Sequence, residues 1–284
     1  MDRTHETTAL LPYPLQALIR EKLPEELRLA RGKRAILTEC GRKVVTPLVV
    51  DDALFDKTLE NLTGRSFYSH SETIREGFIA LPGGARAGVA GRAVCEGGKV
   101  LSVGEISYIC LRFPRRVPGV EKTLLEALAQ SGFRDGALVY SPPGVGKTTL
   151  LRELARALSS PPYLLNTALI DERGELSFEL DACPTLFSYL YYPKAKGTSI
   201  ALRTCAPEII ILDEIGPEEY DALRACGRGG VPVIASAHAG SLAELRQNPR
   251  TAHIVEDGLF ELFAGLTRRG NLLKTTVTRK GEKP

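Results

Sequence analysis

The sequence predicts an α/β fold preceded by a smaller α+β domain, and three observations carry that prediction. A short apolar strand, Ala137-Leu138-Val139-Tyr140, runs through a glycine-containing loop into a helix with Leu150, Leu151, Leu154 and Leu158 on one face. Ile209-Ile210-Ile211-Leu212 is a continuous aliphatic run, the pattern of a strand buried on both faces of a parallel sheet. The N-terminal part of the chain instead shows short alternating segments punctuated by glycine turns, which read as a meander of strands with a few helices.

Taken in order, residues 13–23 place Leu15, Leu18, Ile19 and Leu23 at helical spacing. Strands follow at 26–30, 35–38 and 43–49, separated by Arg31-Gly32-Lys33 and Gly41-Arg42. Asp51-Asp52 opens a helix whose apolar face is Leu54, Leu59 and Leu62 and which Gly64 ends; a second short helix covers 71–75 before Gly77. Phe78–Leu81, the turn Pro82-Gly83-Gly84, the alternation at 87–94 and a strand at 106–113 complete the first domain. Arg115-Arg116-Val117-Pro118-Gly119 carries breaker residues, so the expected domains are 1–118 and 119–284. In the second, a helix at 121–129 leads to the glycine-loop strand, 163–170 is apolar and ends in Asp171-Glu172, and Ile209–Leu212 ends in Asp213-Glu214-Ile215-Gly216. Val231–Ala235 is a further strand that runs into Ser236-Ala237-His238. Open α/β sheets bind ligands at the carboxyl ends of their strands, so these polar strand ends are expected to converge on one ligand.

Composition sets limits. With 284 residues, 43% hydrophobic and 25% charged, the chain has the makings of two ordinary soluble domains. The formal charge of +3 comes from 37 basic against 34 acidic side chains, which gives no nucleic-acid signature; Arg115-Arg116 and Arg268-Arg269 are local clusters only. Six cysteines without a CxxC pair point to a reduced, cytoplasmic protein without a zinc site. The polar N-terminus does not read as a signal peptide, and no apolar run approaches the ~20 residues of a membrane span. Work at a membrane would therefore go through a partner, with no direct insertion.

The loop Ser141-Pro142-Pro143-Gly144-Val145-Gly146-Lys147-Thr148-Thr149 carries the chemistry. Successive backbone N–H groups and a helix N-terminus face one anion there, and Gly144 and Gly146 let the chain curl close to phosphate oxygens. Lys147 suits the β- and γ-phosphates and the Thr148 hydroxyl suits Mg²⁺. The usual motif opens with Gly; Ser141 stands in a position that mainly starts the turn. Asp213 would hold Mg²⁺ through its water shell while Glu214 orients and polarises an attacking water. Glu172, at the neighbouring strand end, competes with Glu214 for the role of base, and Asp171 could instead cap a helix. His238 could hydrogen-bond the γ-phosphate or the attacking water.

Further segments have their own order: Ser69–Ile79 followed by Leu81–Gly91, then Ile106-Ser107 and Arg112, Ser141-Pro142-Pro143, Ile170–Arg173, Pro193-Lys194-Ala195-Lys196-Gly197, Pro207-Glu208, Asp213–Gly216 and Ser236–His238. This set resembles the stage III sporulation protein AA ATPases of endospore-forming bacteria, relatives of the RecA-like motors of type II and type IV secretion. One departure is Asn271-Leu272-Leu273 after Arg268-Arg269-Gly270, where the family leads one to expect a Pro-Gly turn. The resemblance implies a RecA-like (ASCE) P-loop ATPase domain with a smaller α+β N-terminal domain, using ATP and Mg²⁺. It further implies a homo-oligomeric ring, a hexamer, in the mother-cell cytoplasm beneath the membrane-embedded channel proteins that join mother cell and forespore. In related secretion motors arginines of the amino-terminal domain act on the γ-phosphate, which makes Arg86, Arg92 and Arg112 candidates, with Arg203 as another. The rival reading is a nucleic-acid-associated RecA-like ATPase, since one fold serves both.

Overall fold

The computed structural model describes residues 7–20, 24–39, 41–81, 86–113, 116–177, 180–249, 251–269 and 272–282. The chain divides into two compact units, Met1–Arg115 and Arg116–Pro284.

The first unit is built on a six-stranded antiparallel sheet. Its strands are β1 (Glu26–Ala30), β2 (Lys33–Glu39), β3 (Arg42–Val50), β4 (Phe78–Ala80), β5 (Arg86–Glu96) and β6 (Lys99–Arg112), in the order β3-β2-β1-β6-β5-β4. Alternation sorts β1 into two faces. Leu27 and Leu29 enter a core with Leu15 and Ile19 of the helix Tyr13–Ile19 and Phe55 and Leu62 of the helix Asp52–Leu62. At the start of the strand Glu26 takes hydrogen bonds from Arg28 and, across the ladder, Arg112. Burial alone would raise the Glu26 carboxyl, but bonds from Arg28, Cys110 and Arg112 hold it below its ordinary value. The longer helix starts where expected because the Asp51 carboxylate accepts from the Leu54 N–H at 2.8 Å, a cap worth about 1 kcal/mol. Leu23 and the turn 82–84 lie outside the described residues.

The second unit is a seven-stranded sheet: β7 (Ala137–Ser141), β8 (Thr167–Asp171), β9 (Leu186–Leu190), β10 (Ile209–Glu214), β11 (Val233–His238), β12 (Leu262–Arg269) and β13 (Leu272–Arg279). The order is β13-β12-β7-β11-β10-β8-β9, parallel throughout except for the edge strand β13. The aliphatic run of β10 is explained by its two neighbours. Ile209 and Ile211 join one core with Leu150, Leu154 and Leu158 of the helix Lys147–Leu158, while Ile210 and Leu212 join another with Tyr220, Leu245 and Ile254. Truncating such a fully buried side chain to Ala costs about 2–5 kcal/mol.

Three strands differ from expectation. The strand expected over 163–170 begins at Thr167, because Tyr163 and Leu164 form a turn on the Ser160 carbonyl, with Leu164 at φ 53°. The strand expected at 231–235 runs from Val233 to His238, so that the histidine ends the ladder. The strand expected at 106–113 starts at Lys99, paired with β5 in a long hairpin.

Candidate active site

The glycine loop lies between β7 and the helix Lys147–Leu158, at the point where the chain crosses from β7 to β8 over two intervening strands. That crossing leaves β11 beside β7 and β10 next beyond it, so the carboxyl ends of both lie on the loop's side of the sheet. Gly146 has φ 132°, a conformation that favours glycine, and a Cβ there would press on Leu273 Cδ1 of β13 at 3.1 Å. The helix is pinned from below. Glu153, 3% exposed, receives Arg116 at 3.3 Å, and Arg152 donates to the Glu175 carbonyl at 2.6 Å. Pro142, Pro143 and Gly144 are exposed, and Val145, Thr148 and Thr149 are half-buried.

Lys147 is 7% exposed. Its ammonium donates to the Ser141 carbonyl at 3.0 Å and meets His238 Nδ1 at 2.6 Å. Burial depresses its proton affinity, partly offset by the charges of Glu214 and Asp213. The other ring nitrogen of His238, Nε2, lies 2.9 Å from Glu214 Oε2. Backbone pairing makes this possible: His238 is in register with Ser141 on β7, and Ser236 with Glu214 on β10. The structure thus brings Ser141, Lys147, His238 and Glu214 into one chain of contacts, with Asp213 close enough to act on Lys147.

Glu172 goes elsewhere. Its carboxylate lies 3.5 Å from Lys194 Nζ, and the same ammonium is 3.9 Å from Glu219. Asp171, fully buried, accepts the backbone N–H groups of Glu175, Leu176 and Ser177 at 2.8–2.9 Å. It therefore organises a turn; the helix cap considered for it is not what forms. Asp213 accepts no hydrogen bond among the described residues and is 8% exposed. With the Thr148 hydroxyl, it offers the hard oxygen donors that Mg²⁺ takes while keeping several waters, so the residues fit that ion.

A family profile described as sporulation stage III, protein AA matches residues 3–282. The chain belongs to that family. Stage III sporulation protein AA of Bacillus subtilis (strain 168) is 32% identical over 269 residues, covering 88% of this chain and 81% of that one. Among solved structures, the ATPase DotB of Legionella pneumophila matches with a TM-score of 0.61 at 19% identity, over 91% of this chain and 78% of that one. The pilus retraction motor PilT, solved with bound ADP, matches with a TM-score of 0.62 at 14% identity, over 94% and 82%. At those identities the likeness is one of fold: this chain shares the P-loop architecture of these two structures.

The arginines singled out in the family comparison have definite surroundings. In the first unit, the Arg86 guanidinium lies 4.5 Å over the Phe78 ring; Arg112, 80% exposed, reaches Glu26 at 3.2 Å. Arg92 is exposed on β5, and Arg203 donates to the Ser199 carbonyl at 3.2 Å. Sequence reasoning gave no role to Lys194, although it noted the segment that contains it. The signal was a lysine opening a helix after Pro193, followed by Gly197, where a Cβ would lie only 2.9 Å from Ile170 Cγ2 on β8. Leu273, which touches the loop at Gly146, had no local signal, because only the β12–β13 pairing brings it there.

Proposed function

We propose that the second unit is a Mg²⁺-dependent ATPase of the secretion-motor type. In this reading it acts within a homo-oligomeric ring, a hexamer, and energises membrane-embedded sporulation proteins between mother cell and forespore. The observation that carries the reading is the continuous contact from the loop lysine through His238 to Glu214. A cation suited to phosphate oxygens and a carboxylate suited to polarising a water, joined through one imidazole at neighbouring strand ends, support it. Lys147 and the loop N–H groups would bind the β- and γ-phosphates, and Thr148 and Asp213 would hold Mg²⁺, which when bound would supply neutralisation of phosphate charge. Glu214 is the base that takes the water's proton, a role of about 10²–10⁴ in rate. The likeness to DotB, an ATPase, and to PilT, a motor solved with bound ADP, supports the same chemistry here. Among the described residues no helix is long and apolar enough to cross a membrane, in keeping with a partner that holds the protein there.

The test is steady-state ATP hydrolysis with and without single-stranded DNA, combined with mass measurement in each nucleotide state. Hydrolysis that DNA does not stimulate, in a nucleotide-stabilised ring, is the expected result. Lys147→Ala should weaken ATP binding about 100-fold or more, since it removes the charge-assisted contacts of the phosphates. A Lys147→Ala chain that binds ATP like the wild type would count against the site, and strong stimulation by DNA against the secretion-motor reading.

A further inference from the structure

His238 sits between the two groups that the proposed reaction needs most, and the direction of its hydrogen bonds can be worked out. An ammonium has only protons to give, so Lys147 donates to Nδ1 at 2.6 Å and Nδ1 accepts. The ring proton is then on Nε2, which donates to Glu214 Oε2 at 2.9 Å. Of the three protons on Lys147 Nζ, one is committed to the Ser141 carbonyl and one to His238. One remains. A single phosphate oxygen can take it with both protein contacts kept, whereas oxygens of two successive phosphates need two protons. Ser141 closes β7 and its carbonyl is part of the backbone, so the contact that can yield is the imidazole, whose side chain is 41% exposed.

We propose that His238 is a positioning residue that holds Lys147 in reserve, yields it when a γ-phosphate arrives, and so reports triphosphate occupancy to Glu214. The proposal rests on the nucleotide reading above and adds to it a specific competitor. Diphosphate uses the uncommitted proton and leaves the relay in place. Triphosphate displaces Nδ1 from Lys147, and the ring, still tied to Glu214 through Nε2–H, moves with that carboxylate. The consequence is a built-in penalty on triphosphate binding and a link between the loop and the base.

Two side chains separate the halves of the relay. In His238→Asn the amide oxygen takes the place of Nδ1 and can accept from Lys147, but nothing reaches Glu214. In His238→Gln the amide nitrogen takes the place of Nε2 and can donate to Glu214, with no acceptor left at the Nδ1 position. The experiment is equilibrium titration of the full chain with ADP and with a non-hydrolysable ATP analogue, each with Mg²⁺, alongside kcat. His238→Ala should bind the ATP analogue about tenfold tighter, the loss of one charge-assisted competitor, and ADP within about twofold of wild type. His238→Asn should restore wild-type affinity for the analogue with a low kcat. His238→Gln should keep the tighter affinity and a kcat above that of the Asn variant. A merely structural histidine would shift both nucleotides alike and would not split the Asn and Gln variants. Equal or weaker affinity of His238→Ala for the analogue overturns the proposal alone, provided the wild type binds ATP and Lys147→Ala does not. If the wild type binds neither nucleotide, the nucleotide reading falls and takes this one with it.

Discussion

At the end of β8 the carboxylate of Asp171 collects three backbone N–H groups, and Glu172 turns to Lys194. At the end of β10 the same dipeptide behaves otherwise: Asp213 accepts no hydrogen bond among the described residues, and Glu214 meets His238 at 2.9 Å. What separates them is the chain that follows. After Asp171 the backbone doubles back, with Gly174 at φ 68°, and aims its N–H groups at the carboxylate. After Glu214 it runs on into the helix Pro217–Arg228, and the N–H of Gly216 is met by Glu219 at 2.8 Å. The second loop thus satisfies itself and leaves Asp213 and Glu214 to face Lys147. Asp-Glu after a buried strand is not in itself a catalytic signal. Its meaning depends on whether the next turn consumes the carboxylates.

The largest expected effect follows from that difference. Glu214→Gln keeps a hydrogen-bonding group but cannot take a proton, so kcat should fall by about 10²–10⁴ while ADP affinity stays within about twofold. Glu172→Gln, in contrast, should change kcat by less than about threefold. Steady-state hydrolysis and ADP titration on the two variants decide it. A more severe defect in Glu172→Gln would exchange the roles of the two carboxylates.

Stability should divide the aspartates the other way. Asp171→Ala leaves three backbone N–H groups without their acceptor, that of Leu176 buried and those of Glu175 and Ser177 part-buried, so the second unit should lose about 3 kcal/mol. Asp213→Ala removes a partly desolvated charge with no hydrogen bond to lose among the described residues, and should stay within about 1 kcal/mol of wild type. Urea unfolding curves measure both; equal losses in the two variants would show that Asp213 has a structural duty of its own.

Much of this was legible in the chain and some was not, for physical reasons. β7 and β10 were readable because parallel strands covered on both faces show uninterrupted aliphatics, and the loop because its glycines and lysine stand directly between a strand and a helix. β9 was not read: Phe187 and Leu190 are 45% and 41% exposed on an edge strand, so apolarity there does not follow burial. The contact of Lys147 with His238 was beyond reach for another reason. Sequence placed both near strand ends, but only the β7–β11 register puts them side by side. Likewise nothing local distinguishes Asp171 from Asp213, because the turn that claims Asp171 is a matter of backbone direction.

The smallest expected effect comes from Lys194, and it bears most directly on whether Glu172 is a reserve base. Lys194 is 9% exposed and stands between Glu172 and Glu219, whose side chains are 38% and 28% exposed. Both carboxylates can rehydrate if the ammonium is removed, so Lys194→Met should cost about 1 kcal/mol or less, well short of the penalty for stranding a buried charge. It should also leave Glu172 without its partner. If Glu172 were withheld from catalysis only by that ion pair, adding Lys194→Met to Glu214→Gln would restore part of the lost turnover. We expect no recovery, because Glu172 lies at the end of β8, separated from β11 and its His238 by β10, whereas Glu214 is held to the imidazole that touches Lys147. The double variant should therefore hydrolyse ATP at the rate of Glu214→Gln alone, within about twofold, by steady-state assay. A rise of tenfold or more would mean that the two strand ends are interchangeable and that Lys194, through its pairing, decides which one works.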